Sequence, residues 1–272
     1  MNLNRENYYS PEANQEYMSN SQYGSFMDCE ARALAEIKGE WKDEKPAFEV
    51  GDYLHAWNEG KEAMERFIAE HPQCFSSRGA TKGQLKSEYQ FANRMIATLE
   101  ADSLCMLALQ GAKEVIMTAE LFGSPWKIRM DVHRELGSGK RRIADLKSTK
   151  SINDLVWSDE RWGKVSFVEA YHYPRQLAIY CEIERLATGS PEWAEPLIVA
   201  VSKENPPDKA VINMADDKRF TQELAMVEYN MPRILAVKKG LELPKSCGHC
   251  EYCRSHKKLN RVIHYSEIGM AS

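Results

Sequence analysis

At 272 residues, 43% hydrophobic and 28% charged, the chain has the length and composition of a globular protein with a sizeable core, which excludes a disordered or fibrous class. Its net charge of −4 excludes a uniformly basic nucleic-acid coat but leaves room for a local basic groove. No stretch approaches the ~20 apolar residues of a membrane helix, and the opening MNLNRENYYSPEANQEY has neither a basic start nor an apolar core, so a cytoplasmic protein without a secretory signal is expected.

Residues 1–20 read as an irregular arm, followed by a helix from Ser21 to Ile37. A second helix is expected from about Val50 to Glu70, where Leu54, Trp57, Met64, Phe67 and Ile68 recur at helical spacing. A third, with room for a break, covers Lys86 to Leu109. Strand-like runs follow at 114–122, 126–133 and 141–148, then a helix over 170–187 that ends before Gly189 and Pro191. Two more strands, PLIVAVS (196–202) and KAVINM (209–214), flank the turn-rich ENPPD, and a long helix runs from Asp216 to Lys239. This order predicts one α/β domain over residues 1–272, a mixed central sheet flanked by helices, with a Cys-rich segment from 240 onward.

The chemistry concentrates in PWKIRMDV (125–132) and RRIADLKST (141–149), two strand-like segments joined by the turn ELGSGK. Side chains on a strand repeat with period two, so Asp145 and Lys147 project from one face, and a neighbouring strand brings Asp131 beside them. Two carboxylates can hold a hard divalent cation, and a lysine there can position water or stabilise developing charge. Spacing alone is weak, because Glu36/Lys38, Asp43/Lys45, Glu59/Lys61 and Asp216/Lys218 share it in polar or helical settings that suit solvated charge pairs.

His55, in VGDYLHAW, reads either as a half-exposed helix histidine or as a further metal ligand. Gln176 and Tyr180 stand four apart on one helix face, either reaching toward the site or packing in the core. Glu120, closing the first strand in VIMTAELFG, is either another acidic ligand or an edge carboxylate. Asp131, Asp145 and the Leu146 carbonyl are expected to ligate Mg²⁺ or Mn²⁺, with His55 completing the inner shell. Among seven cysteines, Cys74, Cys105 and Cys181 sit in apolar surroundings, whereas Cys247, Cys250 and Cys253 form a dense C-x2-C-x2-C. That run, with Cys29 and with His249 and His256 as further donors, suits either zinc or free thiols.

His55, Asp131, Asp145/Lys147 and Gln176/Tyr180 follow the order found in the RecB-like branch of the PD-(D/E)xK nuclease superfamily. With the opening MSNSQYGSFMDCEARAL (18–34) and the overall size, the chain most resembles phage and prophage exonucleases related to exodeoxyribonuclease VIII (RecE), over roughly residues 18–260. The resemblance implies a restriction-endonuclease-like core and a metal-dependent 5′→3′ exonuclease on double-stranded DNA ends. It also implies 3′ overhangs passed to a single-strand annealing protein, a ring-shaped homo-oligomer (a tetramer before a trimer), and a phage or prophage enzyme in the cytoplasm of a bacterial host. In such relatives one cysteine before the core and three after it hold a 4Fe–4S cluster, a layout that Cys29, Cys247, Cys250 and Cys253 share, although with a shorter final gap. Arg32 is the candidate for gripping a terminal 5′-phosphate, through bidentate guanidinium contacts. A restriction-type endonuclease shares the chemistry, and a non-cleaving DNA-binding accessory module is the reading from a different class.

Overall fold

The computed structural model describes residues 1–42, 49–259 and 261–267, so Asp43/Lys45 lies outside the described residues. The first twenty residues are ordered into structure and are not an irregular arm. Ser10 caps α1 (Pro11–Glu16) by accepting from the Ala13 amide, and Met18 bridges to Trp126 with both residues buried. The single helix expected over 21–37 is two, α2 (Asn20–Asp28) and α3 (Glu30–Lys38), because Cys29 between them is extended at φ −164°, ψ 106°. The helix expected over 50–70 also divides, into α4 (Glu49–Glu59) and α5 (Lys61–Glu70). Gly60 at φ +130° makes that break, a conformation open to glycine and strained for other residues. Asp102 caps the break in the third, accepting from the Leu104 and Cys105 amides to separate α6 (Ser87–Glu100) from α7 (Ser103–Ala108).

The strands are longer than periodicity suggested: β1 (Ala112–Leu121), β2 (Ser124–Leu136) and β3 (Lys140–Thr149). A small hairpin, β4 (Val156–Ser158) and β5 (Gly163–Val165), and the short α8 (Phe167–Ala170) precede α9 (Tyr173–Thr188). Then come β6 (Glu195–Ser202), β7 (Lys209–Asn213), α10 (Asp217–Lys238) and α11 (Glu251–Ser255).

The main sheet runs β1-β2-β3-β6-β7, antiparallel throughout except for the parallel β3–β6 pair. A parallel pair needs a crossover, and α9 lies within it. β6 is buried from Pro196 to Ser202, as a central strand covered on both faces must be. On one face Ile198 and Ala200 meet residues of α2, α3, α9 and α10; on the other Leu197, Val199 and Val201 meet α4, α6 and α7. The fold is therefore the mixed sheet flanked by helices that the sequence predicts. No helix among the described residues is long and apolar enough to cross a membrane.

Candidate active site

The β2–β3 ladder pairs Leu136 with Lys140 through to Val132 with Ala144 and goes no further, so the two strands part where each carries an aspartate. At that opening the Leu146 N–H donates to Asp131 Oδ2 at 2.7 Å, a side chain meeting a backbone donor that must be satisfied. Asp131 Oδ1 lies 3.3 Å from His55 Nδ1 on α4. Asp145 is held from the other side: Lys147 Nζ stands 2.6 Å from its Oδ2, and Gln176 Nε2 on α9 donates to its Oδ1 at 3.2 Å. Both aspartates are buried. Asp131, Asp145, Lys147, His55, Gln176 and Tyr180 all line one cavity, and the Tyr180 ring also packs against the core.

The acidic residue that β1 brings to this site is Glu114, and not Glu120. Glu120 is exposed and pairs with Pro125 at the far end of the strand. Glu114 is buried, lines the cavity, and pairs with Arg129 Nε at 2.7 Å. Donor atoms of His55, Glu114 and Asp131 all lie within 4.8 Å of one another. Glu114 was legible by counting: β1 and β2 turn at Phe122 and Gly123, and the register that pairs Val115 with Met130 sets Glu114 opposite Asp131. Its φ of +54° interrupts the pairing there, a conformation that costs a non-glycine residue about 1–3 kcal/mol and clusters at functional sites. Arg129, stacked 4.9 Å from the Tyr9 ring, is a second cavity residue the motifs gave no sign of.

Electrostatics set the protonation states. Burial alone would raise the Asp131 carboxyl, but His55, Lys147 and the Leu146 amide outweigh it and hold Asp131 low. Asp145 goes the other way, raised by burial and by the charge of Asp131 against the pull of Lys147. Burial disfavours charge on His55, yet the Asp131 carboxylate lifts it to about 9. Lys147 is likewise raised by Asp145 and Asp131 despite its burial, so it stays protonated at neutral pH.

Arg32 does not line this cavity. It sits on α3 with ion pairs to Asp28, at the end of α2, at 3.0 Å and to Glu36 at 3.3 Å, which commit its guanidinium to those two carboxylates. The basic side chains that do line it are Arg66, Arg129 and Lys147, and the imidazoles of His55 and His71 line it too. The other short acid–lysine spacings have local roles: Glu36 pairs with Arg32, Lys61 with Glu65, and Asp216 caps α10. Glu59 is the exception in position, since it lines the cavity, where it pairs with Arg5 and Arg66.

A second group lies apart from this cavity. The Sγ atoms of Cys29, Cys247, Cys250 and Cys253 fall within 4.8 Å of one another. His249 and His256 face elsewhere: His249 Nδ1 lies 2.9 Å from the Cys247 carbonyl, and the His256 ring stacks on Tyr252 at 4.3 Å.

Comparison with known proteins agrees with this architecture. The profile of a family described as "PDDEXK-like domain of unknown function (DUF3799)" matches residues 19–256. A crystal structure from Eubacterium rectale named "Putative exonuclease" is 38% identical, aligns over 100% of both chains and superposes with a TM-score of 0.90. A structure of SSO0001 aligns at 17% identity over 81% of this chain and 88% of that chain, but its TM-score of 0.28 carries no argument. No curated protein matches the chain.

Proposed function

The chain belongs to the PDDEXK-like domain family (DUF3799), with the restriction-endonuclease-like core that this implies, and on that premise we propose that it is a Mg²⁺- or Mn²⁺-dependent exodeoxyribonuclease. The observation that carries the reading is the convergence of Asp131, Asp145, Lys147, His55 and Gln176 at the opening between β2 and β3. The donors of His55, Glu114 and Asp131, all within 4.8 Å of one another, fit such a cation with two hard carboxylates and one imidazole, and the reading adds Asp145 and the Leu146 carbonyl as further oxygen ligands. When bound, the cation would lower the pKa of a coordinated water and neutralise charge on the scissile phosphate.

The chain's own residues do the rest. Asp131 accepts from the Leu146 amide and from His55, which fixes its carboxylate. Lys147, kept protonated by Asp145, is a donor that orients the attacking water and a positive charge that opposes the charge gained by the phosphate. Gln176 anchors the second Asp145 oxygen, and Tyr180 walls the cavity beside it. Arg66 and Arg129 supply positive charge along the same cavity, suited to the phosphates of the nucleic-acid backbone.

The reading extends to a duplex-specific 5′→3′ enzyme in the cytoplasm of a bacterial host. It leaves 3′ single strands for an annealing protein in phage or prophage recombination, and it works as a ring-shaped homo-oligomer, a tetramer before a trimer. Its support is the shared order of motifs and the full-length likeness to the Eubacterium rectale protein named "Putative exonuclease". The deciding experiment compares 5′-labelled linear duplex with closed circular duplex, with and without Mg²⁺, and measures solution mass. Mg²⁺-dependent release of nucleotides from linear DNA alone is expected. Equal attack on closed circles would make the protein an endonuclease, and duplex binding without cleavage an accessory module.

A further inference from the structure

Cys29 is the extended residue that separates α2 from α3, and it is buried. It faces Cys253, 224 residues further along the chain, at an Sγ–Sγ distance of 3.5 Å, and Cys247 Sγ lies 3.9 Å from Cys253 Sγ. From these spacings we propose that Cys29, Cys247, Cys250 and Cys253 hold a single tetrahedral Zn²⁺, and not an iron–sulfur cluster. This inference is independent of the nuclease reading.

The first argument is size. Zn–S bonds of about 2.3 Å place four sulfurs at the corners of a tetrahedron with edges of about 3.8 Å. Both measured spacings fall beside that value, and no pair exceeds 4.8 Å. An iron–sulfur cube puts each thiolate on a different iron, outside a cube of eight atoms, so its four cysteine sulfurs must stand well beyond the edge of a single-ion tetrahedron.

The second argument is the donor set. The Cys250 amide lies 3.3 Å from Cys247 Sγ and the Cys253 amide 3.4 Å from Cys250 Sγ, so backbone donors already point at sulfurs that would carry negative charge. Both nearby histidines are turned to other partners, which leaves sulfur alone. A closed all-sulfur set has no open position and is the arrangement of a structural ion.

The consequence is a fastening of residues 247–253 onto the α2–α3 break. Polar contacts in the same place agree: Glu30 pairs with Arg233 at 2.7 Å and accepts from the Lys245 amide at 2.6 Å, and the Ala31 amide donates to the Lys245 carbonyl at 3.0 Å. Ion binding would then contribute directly to folding, as structural zinc does elsewhere.

The test is the metal content of the full chain, expressed with iron and zinc both supplied and purified anaerobically without chelator. Equimolar zinc is expected, with no acid-labile sulfide and no visible absorption. Exchange with Co²⁺ should give the d–d bands of a tetrahedral all-thiolate site. Iron and sulfide in cluster stoichiometry would overturn the proposal, and so would metal-free protein whose four thiols react freely. Cys250→Ser should lose the zinc, while His249→Ala and His256→Ala should each retain it in full; loss in either histidine variant would overturn the all-sulfur set. If Cys250→Ser fails to fold, the cobalt spectrum of the wild type decides alone.

Discussion

The Leu146 amide and the Asp131 carboxylate meet at 2.7 Å, just past the last Val132–Ala144 pair of the β2–β3 ladder. A sheet that opens leaves backbone donors to satisfy, and here a side chain does so while its other oxygen faces His55. Asp131 therefore has two duties, one in the sheet and one in the site.

Those duties separate by substitution. Asp131→Asn keeps an acceptor for the Leu146 amide and loses the negative charge, so it should retain the fold and lose Mg²⁺-dependent cleavage. Asp131→Ala should be equally inactive and also less stable by about 1–3 kcal/mol, the cost of leaving a buried donor unsatisfied. Thermal melts of the two variants beside the wild type measure the difference. Equal stability would mean that the Leu146 contact contributes nothing to the fold.

Lys147 should matter for chemistry more than for binding. Lys147→Ala removes the cation 2.6 Å from Asp145 and should lower turnover by about 10²–10³-fold, the usual loss for one transition-state donor, with the Kd for duplex DNA changed only severalfold. Gln176→Ala removes a single 3.2 Å bond to the same carboxylate and should be milder, about tenfold for a loss near 1.4 kcal/mol. Parallel losses in turnover and affinity for Lys147→Ala would make it a plain phosphate contact.

Glu114 and Glu120 give a paired comparison. Glu114→Gln alters a buried carboxylate beside His55 and Asp131 and should raise the Mg²⁺ concentration for half-maximal activity by about 10–100-fold, as loss of a ligand or its direct support does elsewhere. Glu120→Gln changes an exposed strand end and should leave the Mg²⁺ titration where it was. A metal titration of both variants settles which glutamate serves the site.

The sequence carried the site where chemistry and period coincide, and lost it where geometry depends on pairing. Asp145 and Lys147 were legible because a strand's period of two puts them together with no help from other elements. Glu120 misled because an acidic strand end resembles a ligand, whereas Glu114 becomes visible only once the Phe122–Gly123 turn fixes which residue faces Asp131. Helices were legible as apolar faces, but the breaks at Cys29 and Gly60 interrupt the backbone without interrupting that periodicity. The small β4–β5 hairpin was missed because its three-residue strands are too short to show alternation. Arg129 was missed because its partners, Glu114 and Tyr9, come from distant parts of the chain.

The last prediction concerns two lysines, Lys127 buried and Lys238 half-buried, that hold the N-terminal residues to the body. Lys238 donates to the Tyr17 carbonyl at 2.8 Å and to Gln22 Oε1 at 3.1 Å, and Lys127 donates to the Tyr8 carbonyl and to Asn14 Oδ1. Burial, reinforced by the charge of Lys127, pulls Lys238 down to about 7, and burial pulls Lys127 to about 8. An unfolded lysine titrates near ~10.4, so above pH 7 the unfolded chain binds the proton that folded Lys238 has given up. Stability must then rise with pH wherever the unfolded state binds more protons. The penalty for Lys238 is complete below about pH 7 and fades as pH climbs toward ~10.4. Lys238→Met removes the penalty along with the two hydrogen bonds, so its melting temperature relative to the wild type should be highest at pH 6 and fall steadily through pH 9.5. Taking the difference between the two proteins cancels titrating groups remote from Lys238, including His55, whose raised pKa gives a trend of the opposite sign, and keeps the coupling between Lys238 and Lys127. A difference that stays flat over this range would show that Lys238 remains charged in the folded protein.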